Sequence, residues 1–406
     1  MQKCLISGAA TDTFLSFGKM PIANGFLDAA DFPNEYFFEL KVGYCPESKM
    51  VQLTELVDRE RMFHENYAFF SSTSRRMAEH FGRFSEFVEG RFPAGGKDPF
   101  VVEIGSNDGI MLQNFARRGI RHLGIEPSAN VAKVAVDKGV NTISEFFDEE
   151  LAKKIVAEQG QADAFMGANV MCHIPYMHSV MAGIRTLLKP TGVLVFEDPY
   201  LGDIIQKVSY DQIYDEHAFY FSVLSVEYLV ARHELELVDV LPQTVHGGSM
   251  RYVIAHRGAF QVSENVVRQR NFELELGLDS PETFRKFAAD VAKSKQDLMT
   301  LLQDLKRQGK RVAAYGATSK STTVTNYCGI TPELVEYVSD TTPIKQGKFS
   351  PGAHIPVVPH ETFAKNYPDL ALLFAWNHGE EIVAKEQAFK ASGGRFILYV
   401  PRVHLA

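Results

Sequence analysis

Cysteine and tryptophan are scarce in this chain, at four and one of 406 residues. The thiols Cys4, Cys45, Cys172 and Cys328 are too scattered for a disulfide framework, which points to a reducing compartment, the cytoplasm. The start, Met1-Gln-Lys-Cys4, lacks the apolar core of a signal peptide. No apolar run reaches the ~18 residues of a membrane span, so no membrane partner is expected. Positive charge is in deficit: 42 Lys and Arg stand against 50 Asp and Glu, a net of −8. Without a basic stripe, nucleic acid is not an expected partner either. Repeats and low-complexity tracts are missing. What remains is an ordinary globular composition, 45% hydrophobic and 23% charged, long enough for two or three domains. Nothing in it requires an assembly; oligomeric state stays open, and a monomer is compatible with the chain.

The rest is organised around Phe100-Val-Val-Glu-Ile-Gly-Ser-Asn-Asp-Gly109. A short apolar run passes into a polar, glycine-bearing turn and then a helix-like segment, 110–118. That is the profile of a buried parallel strand, a tight loop and a helix start. Gly105 and Gly109 lack a Cβ, so a ligand can approach the backbone closely. A second apolar strand, 122–125, ends in Glu126, 21 positions after Gly105. An acid there can take two ribose hydroxyls. The pattern Gly105-Ser-Asn-Asp-Gly109, preceded by Glu103, is not the G-x-G-x-x-G of dinucleotide enzymes. It resembles the first motif of class I S-adenosylmethionine (SAM) methyltransferases, with Glu126 in the ribose position. A plain α/β turn would give a glycine loop too; strand, loop, helix and acid together favour the cofactor.

Taken in order, residues 1–75 read as short strands and loops, including 40–45 and 50–53. Cys4-x-x-Ser7 and Cys45-x-x-Ser48 resemble the two knuckles of a zinc ribbon, with the second cysteine of each replaced. Tetrahedral zinc wants thiolate or imidazole, so Cys4 and Cys45 read as small buried residues, at most remnants of a metal site. The stretch 62–73 is dense in aromatics; its Tyr67 is either core or part of a sugar pocket. Residues 76–260 alternate strand and helix patterns, which predicts a doubly wound parallel sheet with strands at 100–104, 122–125, 164–168, 193–196, 235–241 and 250–256. Ligands bind beyond the carboxyl ends of such strands. Those ends carry Gly105–Gly109, Glu126, Asn169 and the run Glu197-Asp198-Pro199-Tyr200. Asn169 can serve the ammonium and carboxylate of a bound amino-acid moiety. His173 follows it, structural or functional. In Tyr210–His217, Tyr214, Glu216 and His217 are close enough to cooperate, and a carboxylate beside His217 would favour its cationic form and strengthen it as a base. A helical stretch at 263–308 leads to a second α/β unit, 261–406, with strands at 311–315, 334–339 and 370–374. Its turn Tyr315–Thr323 offers N–H groups, hydroxyls and Lys320 to a phosphate or sugar, and Asn377 and His378 end a later strand.

These segments together resemble the nucleotide-sugar C-3-methyltransferases, which methylate C3 of a 4-keto-deoxyhexose joined to a nucleoside diphosphate. The strings are Val102-Glu-Ile-Gly-Ser-Asn-Asp-Gly-Ile-Met-Leu112, Phe196-Glu-Asp-Pro-Tyr-Leu-Gly-Asp-Ile204, Asp211-Gln-Ile-Tyr-Asp-Glu-His217, Val245-His-Gly-Gly248, Tyr315-Gly-Ala-Thr318, Val324-Thr-Asn326 and Phe374-Ala-Trp-Asn-His378. The resemblance implies a zinc-ribbon-like N-terminal module, a central SAM domain and a C-terminal Rossmann-like α/β domain. Ser7 and Ser48 depart from the family's zinc cysteines, which puts zinc in doubt. The resemblance implies that His217 is the base, with Tyr214, Glu216, His173 and Tyr67 around the sugar; Glu216 is also expected to orient or polarise His217. It implies that Glu103, Gly105, Asn107, Asp108, Gly109, Glu126, Pro127 and Asn169 hold SAM. Glu197, Asp198, Tyr200, His246, Gly247, Lys320, Asn377 and His378 fall to the substrate. An O- or N-methyltransferase on a nucleotide sugar, or a sugar-nucleotide binder without turnover, are the competing readings.

Overall fold

The computed structural model describes residues 2–58, 75–92 and 98–406. Tyr67 and the aromatic stretch around it lie outside the described residues. Among the described residues the strands form three sheets. The first has four antiparallel strands in the order Asp12–Pro21, Phe37–Cys45, Met50–Leu53 and Phe219–Tyr220. Its long first strand is not visible in the sequence pattern. Register shifts between Thr13 and Leu15 and between Ser16 and Gly18 break the period-two alternation by which a strand is recognised. The fourth strand follows directly on His217 and pairs Tyr220 with Val51. The N-terminal module is thereby stitched to the segment that bears the candidate base.

The second sheet orders seven strands as Leu235–Gln243, Ser249–His256, Leu188–Pro199, Ala162–Ala168, Phe100–Ile104, Arg121–Ile125 and Thr142–Ile143. The expectation of an all-parallel sheet needs correction: Ser249–His256 runs against both its neighbours. Residues 244–248 are too few for a crossover, which needs about a dozen, so that connection can only be a hairpin. The central strands are apolar and buried, with helices such as Met177–Leu187 covering them through Val180, Ile184 and Leu187.

The third sheet orders Val357–Val358, Val338–Ser339, Val312–Tyr315, Leu370–Leu373, Arg395–Leu398 and His404–Leu405, parallel except for the last strand. The helical stretch before it is two helices, Glu264–Leu276 and Pro281–Arg307. Gly277 closes the first in the left-handed region, and Ser280 with Pro281 opens the second. These are ordinary stop and start signals that the continuous heptad pattern overrode. Likewise 110–118 is a loop with one short helix, Gln113–Ala116.

Candidate active site

The strand Phe100–Ile104 delivers Gly105 at φ +60, where a Cβ would come within 2.5 Å of Val170 Cγ2. Only glycine fits there. Its N–H donates to the Ile125 carbonyl at 2.8 Å, which closes the loop onto the next strand. That strand ends in Glu126, whose carboxylate accepts from the N–H of Asn107 at 3.1 Å and of Ser128 at 2.9 Å. Burial pushes this carboxyl up and the two N–H groups pull it back, with burial prevailing. Its oxygens keep lone pairs for ribose hydroxyls. Gly105, Asn107, Glu126, Pro127 and Asn169 line a cavity of about 410 Å³. Asn169 sits at φ 54 and donates through Nδ2 to His246 Nε2 at 2.9 Å. Apolar Phe81, Ile125 and Phe147 flank them. An acid at a strand end, an amide and an apolar slot in one cavity fit the polar and apolar parts of SAM.

Three expected cofactor residues stand behind this wall instead. Glu103 is buried under the loop and accepts from the Leu112 backbone; burial, then the charge of Glu126, hold its carboxyl well above the usual range. Asp108 is held by Lys138 Nζ at 3.1 Å. Gly109 packs on Val140, which a Cβ would meet at 2.9 Å. They shape the loop; they do not face the cavity.

Facing the cofactor wall, Tyr214, Glu216, His217 and His173 line the same cavity. His217 Nδ1 is 2.7 Å from the Gln212 carbonyl and Nε2 is 2.8 Å from the Tyr214 hydroxyl. A carbonyl can only accept, so Nδ1 carries the proton. Nε2 therefore offers a lone pair, now taken by the tyrosine O–H. His173 stacks on His217 with centroids 5.2 Å apart. Burial lowers His173 to about 4, and burial followed by the neighbouring His173 holds His217 well below its usual value. Two expectations change. His217 is the neutral free base, because burial outweighs any carboxylate nearby. Glu216 does not orient it: both ring nitrogens are engaged elsewhere, and Glu216 Oε1 accepts from Asn24 Nδ2 at 2.7 Å.

The third wall comes from 244–248 and the C-terminal unit. His246, Lys320, Asn377 and His378 line the cavity. Lys320 lies over the Trp376 ring at 5.0 Å and donates to the His246 carbonyl at 3.3 Å. Burial lowers its pKa against the pull of Asp211, which itself accepts from Trp376 Nε1 and Tyr399 OH, both at 2.6 Å. Asn24 and Lys345 also line the cavity. The sequence reading missed both. Lys345 follows the strand Val338–Ser339, so the carboxyl-end rule could have found it; Asn24 carries no such signal.

Four expected substrate contacts are not brought to the cavity. Glu197 is buried in a triad, with His80 Nε2 at 2.6 Å and Arg251 at 2.8 Å. Burial alone would raise its carboxyl, but His80 and then Arg251 outweigh that and leave it lowered. Asp198 points to the other side and accepts from the Cys172 N–H at 3.1 Å; burial pushes it up to about 8. Tyr200 donates to Glu273 at 2.9 Å inside the core. Gly247 is a packing residue, because a Cβ there would meet Trp376 at 2.4 Å.

At the N-terminal knuckles, Cys4 Sγ is 3.2 Å from Ser48 Oγ and Ser7 Oγ is 3.4 Å from Cys45 Sγ. Two thiols and two neutral hydroxyls are a poor donor set for zinc, and the four side chains satisfy one another.

Domain models match along the chain. One described as a C-methyltransferase C-terminal domain covers residues 244–401, a methyltransferase domain covers 74–240, and a domain whose description proposes zinc binding covers 4–63. C-methyltransferase NovU of Streptomyces niveus is 34% identical over 389 residues, 95% of this chain and 92% of that protein. A ubiquinone biosynthesis O-methyltransferase of Acinetobacter baylyi is 32% identical over 102 residues, 24% of this chain and 42% of its own length. Magnesium protoporphyrin IX methyltransferase of Synechocystis PCC 6803, solved with bound SAM, is similar over 49% of this chain and 89% of its own, at 14% identity and TM-score 0.33. The methyltransferase domain match and the loop that presents Glu126 define a SAM-dependent methyltransferase. Within that class the near full-length match decides the branch. The chain belongs to the C-methyltransferase family that includes NovU.

Proposed function

We propose that the protein methylates C3 of a 4-keto-deoxyhexose carried on a nucleoside diphosphate, giving a branched deoxysugar. The observation that carries this is the His217–Tyr214 pair, fixed in the base-ready tautomer, in one cavity with the Gly105–Glu126 wall. A proton on C3 is acidic because the neighbouring C4 ketone delocalises the carbanion as an enolate. The incoming sugar displaces the Tyr214 hydroxyl from His217 Nε2. Nε2 then takes the C3 proton, and the C–H pair moves into the ring as the enolate. The freed Tyr214 O–H donates to the C4 oxygen, a bond that strengthens as charge develops there. Burial disfavours an isolated imidazolium, but this one forms beside the enolate, so the two charges balance. SAM supplies an electrophilic methyl group, and Glu126 and Asn169 orient it toward C3. Glu216 accepts a sugar hydroxyl, and Lys320 faces the diphosphate.

The test uses a thymidine-diphosphate 4-keto-6-deoxyhexose in deuterated water without SAM. Solvent deuterium is expected to enter C3, and His217→Asn to slow that by about 10²–10⁴-fold, the usual worth of a positioned base. Wild-type protein that methylates an oxygen or nitrogen with no exchange at C3 would overturn the reading.

A further inference from the structure

Glu216 is held by a residue 192 positions earlier in the chain, Asn24, whose Nδ2 donates to its Oε1 at 2.7 Å. The surrounding bonds make this a junction. The Ala23 N–H donates to Asp215 Oδ1 at 2.9 Å, and the Ala23 carbonyl accepts from Thr322 Oγ1 at 2.8 Å. Thr323 Oγ1 donates to the Ile213 carbonyl at 2.7 Å. A turn of the N-terminal module, the 213–217 loop and the helix Ser319–Cys328 are thus tied at one point. Lys345 reaches the same place from the C-terminal unit, with Nζ 2.8 Å from the Ala317 carbonyl. Asn24, Glu216 and Lys345 all line the cavity beside His217.

We propose that Asn24 is a positioning residue for Glu216: it occupies Oε1, with Lys345 as the balancing cation, and leaves Oε2 to accept a hydroxyl of the sugar. This rests on the reading of the cavity as the acceptor site. A buried carboxylate left alone would take up a proton. Two neighbours push that way or feel it: Asp215, itself raised to about 8 by burial and then by Glu216, and the Cys172 thiol, on which the Glu216 charge also bears. Burial prevails and leaves the Glu216 carboxyl raised; against it, the Asn24 hydrogen bond is the larger restoring influence and the Lys345 charge the next. An amide is suited to the task, since it donates a bond without adding a second titrating group. The N-terminal module then contributes to the catalytic wall directly.

The test reads Glu216 without substrate. In protein labelled with ¹³Cδ glutamate, the resonance missing from Glu216→Gln is Glu216. Asn24→Ala is expected to move its titration midpoint up by about one pH unit, the scale of one hydrogen bond to a buried charge. Lys345→Met should move it the same way, and the acidic limb of kcat should follow in both. An unmoved midpoint in folded Asn24→Ala overturns the proposal. If that variant does not fold, the near-isosteric Asn24→Asp, an acceptor in place of a donor, must raise the midpoint further or the proposal fails. Full methyl transfer by Glu216→Gln would sink the role given to Glu216 in the acceptor site while leaving the hold of Asn24 on it intact.

Discussion

The central sheet and the C-terminal sheet each contain the same turn. Gly105 and Gly316 both follow a buried strand at positive φ, 60 and 94. A Cβ would strike the residue two past the end of a neighbouring strand in each case, Val170 at 2.5 Å and Ala375 at 2.9 Å. Each glycine N–H donates at 2.8 Å to the last residue of the next strand, Ile125 or Ser339. Each of those strands leads into an acid that accepts from the turn and from the residue two beyond itself. For Glu126 these are Asn107 and Ser128, and for Asp340 they are Ala317 at 2.6 Å and Thr342 at 2.7 Å. The difference lies in what stands at the mouth. The central turn leaves Glu126 on the cavity, whereas the C-terminal turn presents Lys320, and Lys345 bonded to the Ala317 carbonyl. The backbone sets how closely a ligand can come; the side chains at the mouth set its charge.

The largest break in this symmetry is expected from the two acids. Glu126→Ala should weaken SAM binding by about 10- to 100-fold, the loss of one or two hydrogen bonds to a charged group. Asp340→Ala should leave SAM affinity unchanged. Isothermal titration with SAM compares them, and equal losses would mean that the two turns share one ligand. A step smaller, Lys320→Met and Lys345→Met should raise KM for the sugar nucleotide by about tenfold and flatten its salt dependence, without changing KM for SAM.

Much of the first turn was legible because it is local: strand, glycine, loop and acid fall within 27 residues, 100–126. The pair Tyr214 and His217 was legible for the same reason. The Asn24–Glu216 bond was not, since no local pattern marks residues 192 positions apart. Nor could the backbone carbonyl of Gln212 be read, because it has no side-chain signature. The run Glu197–Tyr200 was over-read. Strand side chains alternate, so Glu197 meets Arg251 on one face and Asp198 meets Cys172 on the other, and neither faces the strand's end. The charge state of His217 was misjudged because neighbouring acids are visible in a sequence and burial is not.

That error has a measurable consequence for the whole acceptor wall. His173, at about 4, and His246, at about 3, are lowered chiefly by burial, as is His217. The unfolded chain takes up these protons near pH 6.5 and the native fold only well below it. The contribution of these three histidines to stability is therefore full above about pH 6.5 and is lost as the pH drops toward 4. His173→Gln should reduce the steepness of that fall in a series of Tm measurements against pH. An unchanged slope would place His173 in contact with water in the native state.

The N-terminal knuckles extend the lesson of the two turns to a third place, with the smallest expected effect on turnover. The backbone still points N–H groups at the ligand positions: Ile6 and Ser7 donate to Cys4 Sγ at 3.4 Å, and Met50 donates to Ser48 Oγ at 3.3 Å. The donor atoms differ from what zinc takes, two hydroxyls standing with two thiols. If backbone geometry sets the approach and side chains choose the ligand, then Ser7→Cys with Ser48→Cys should convert the hydrogen-bonded knuckle into a metal site. The double variant is expected to hold about one zinc per chain by metal analysis, with a higher Tm that a chelator reverses, because binding to the native state alone stabilises it. Methyl transfer should stay within about twofold, since the knuckles lie outside the cavity and an intact module already places Asn24. A double variant that folds but takes up no zinc would mean that the hairpins have drifted from knuckle geometry along with their cysteines.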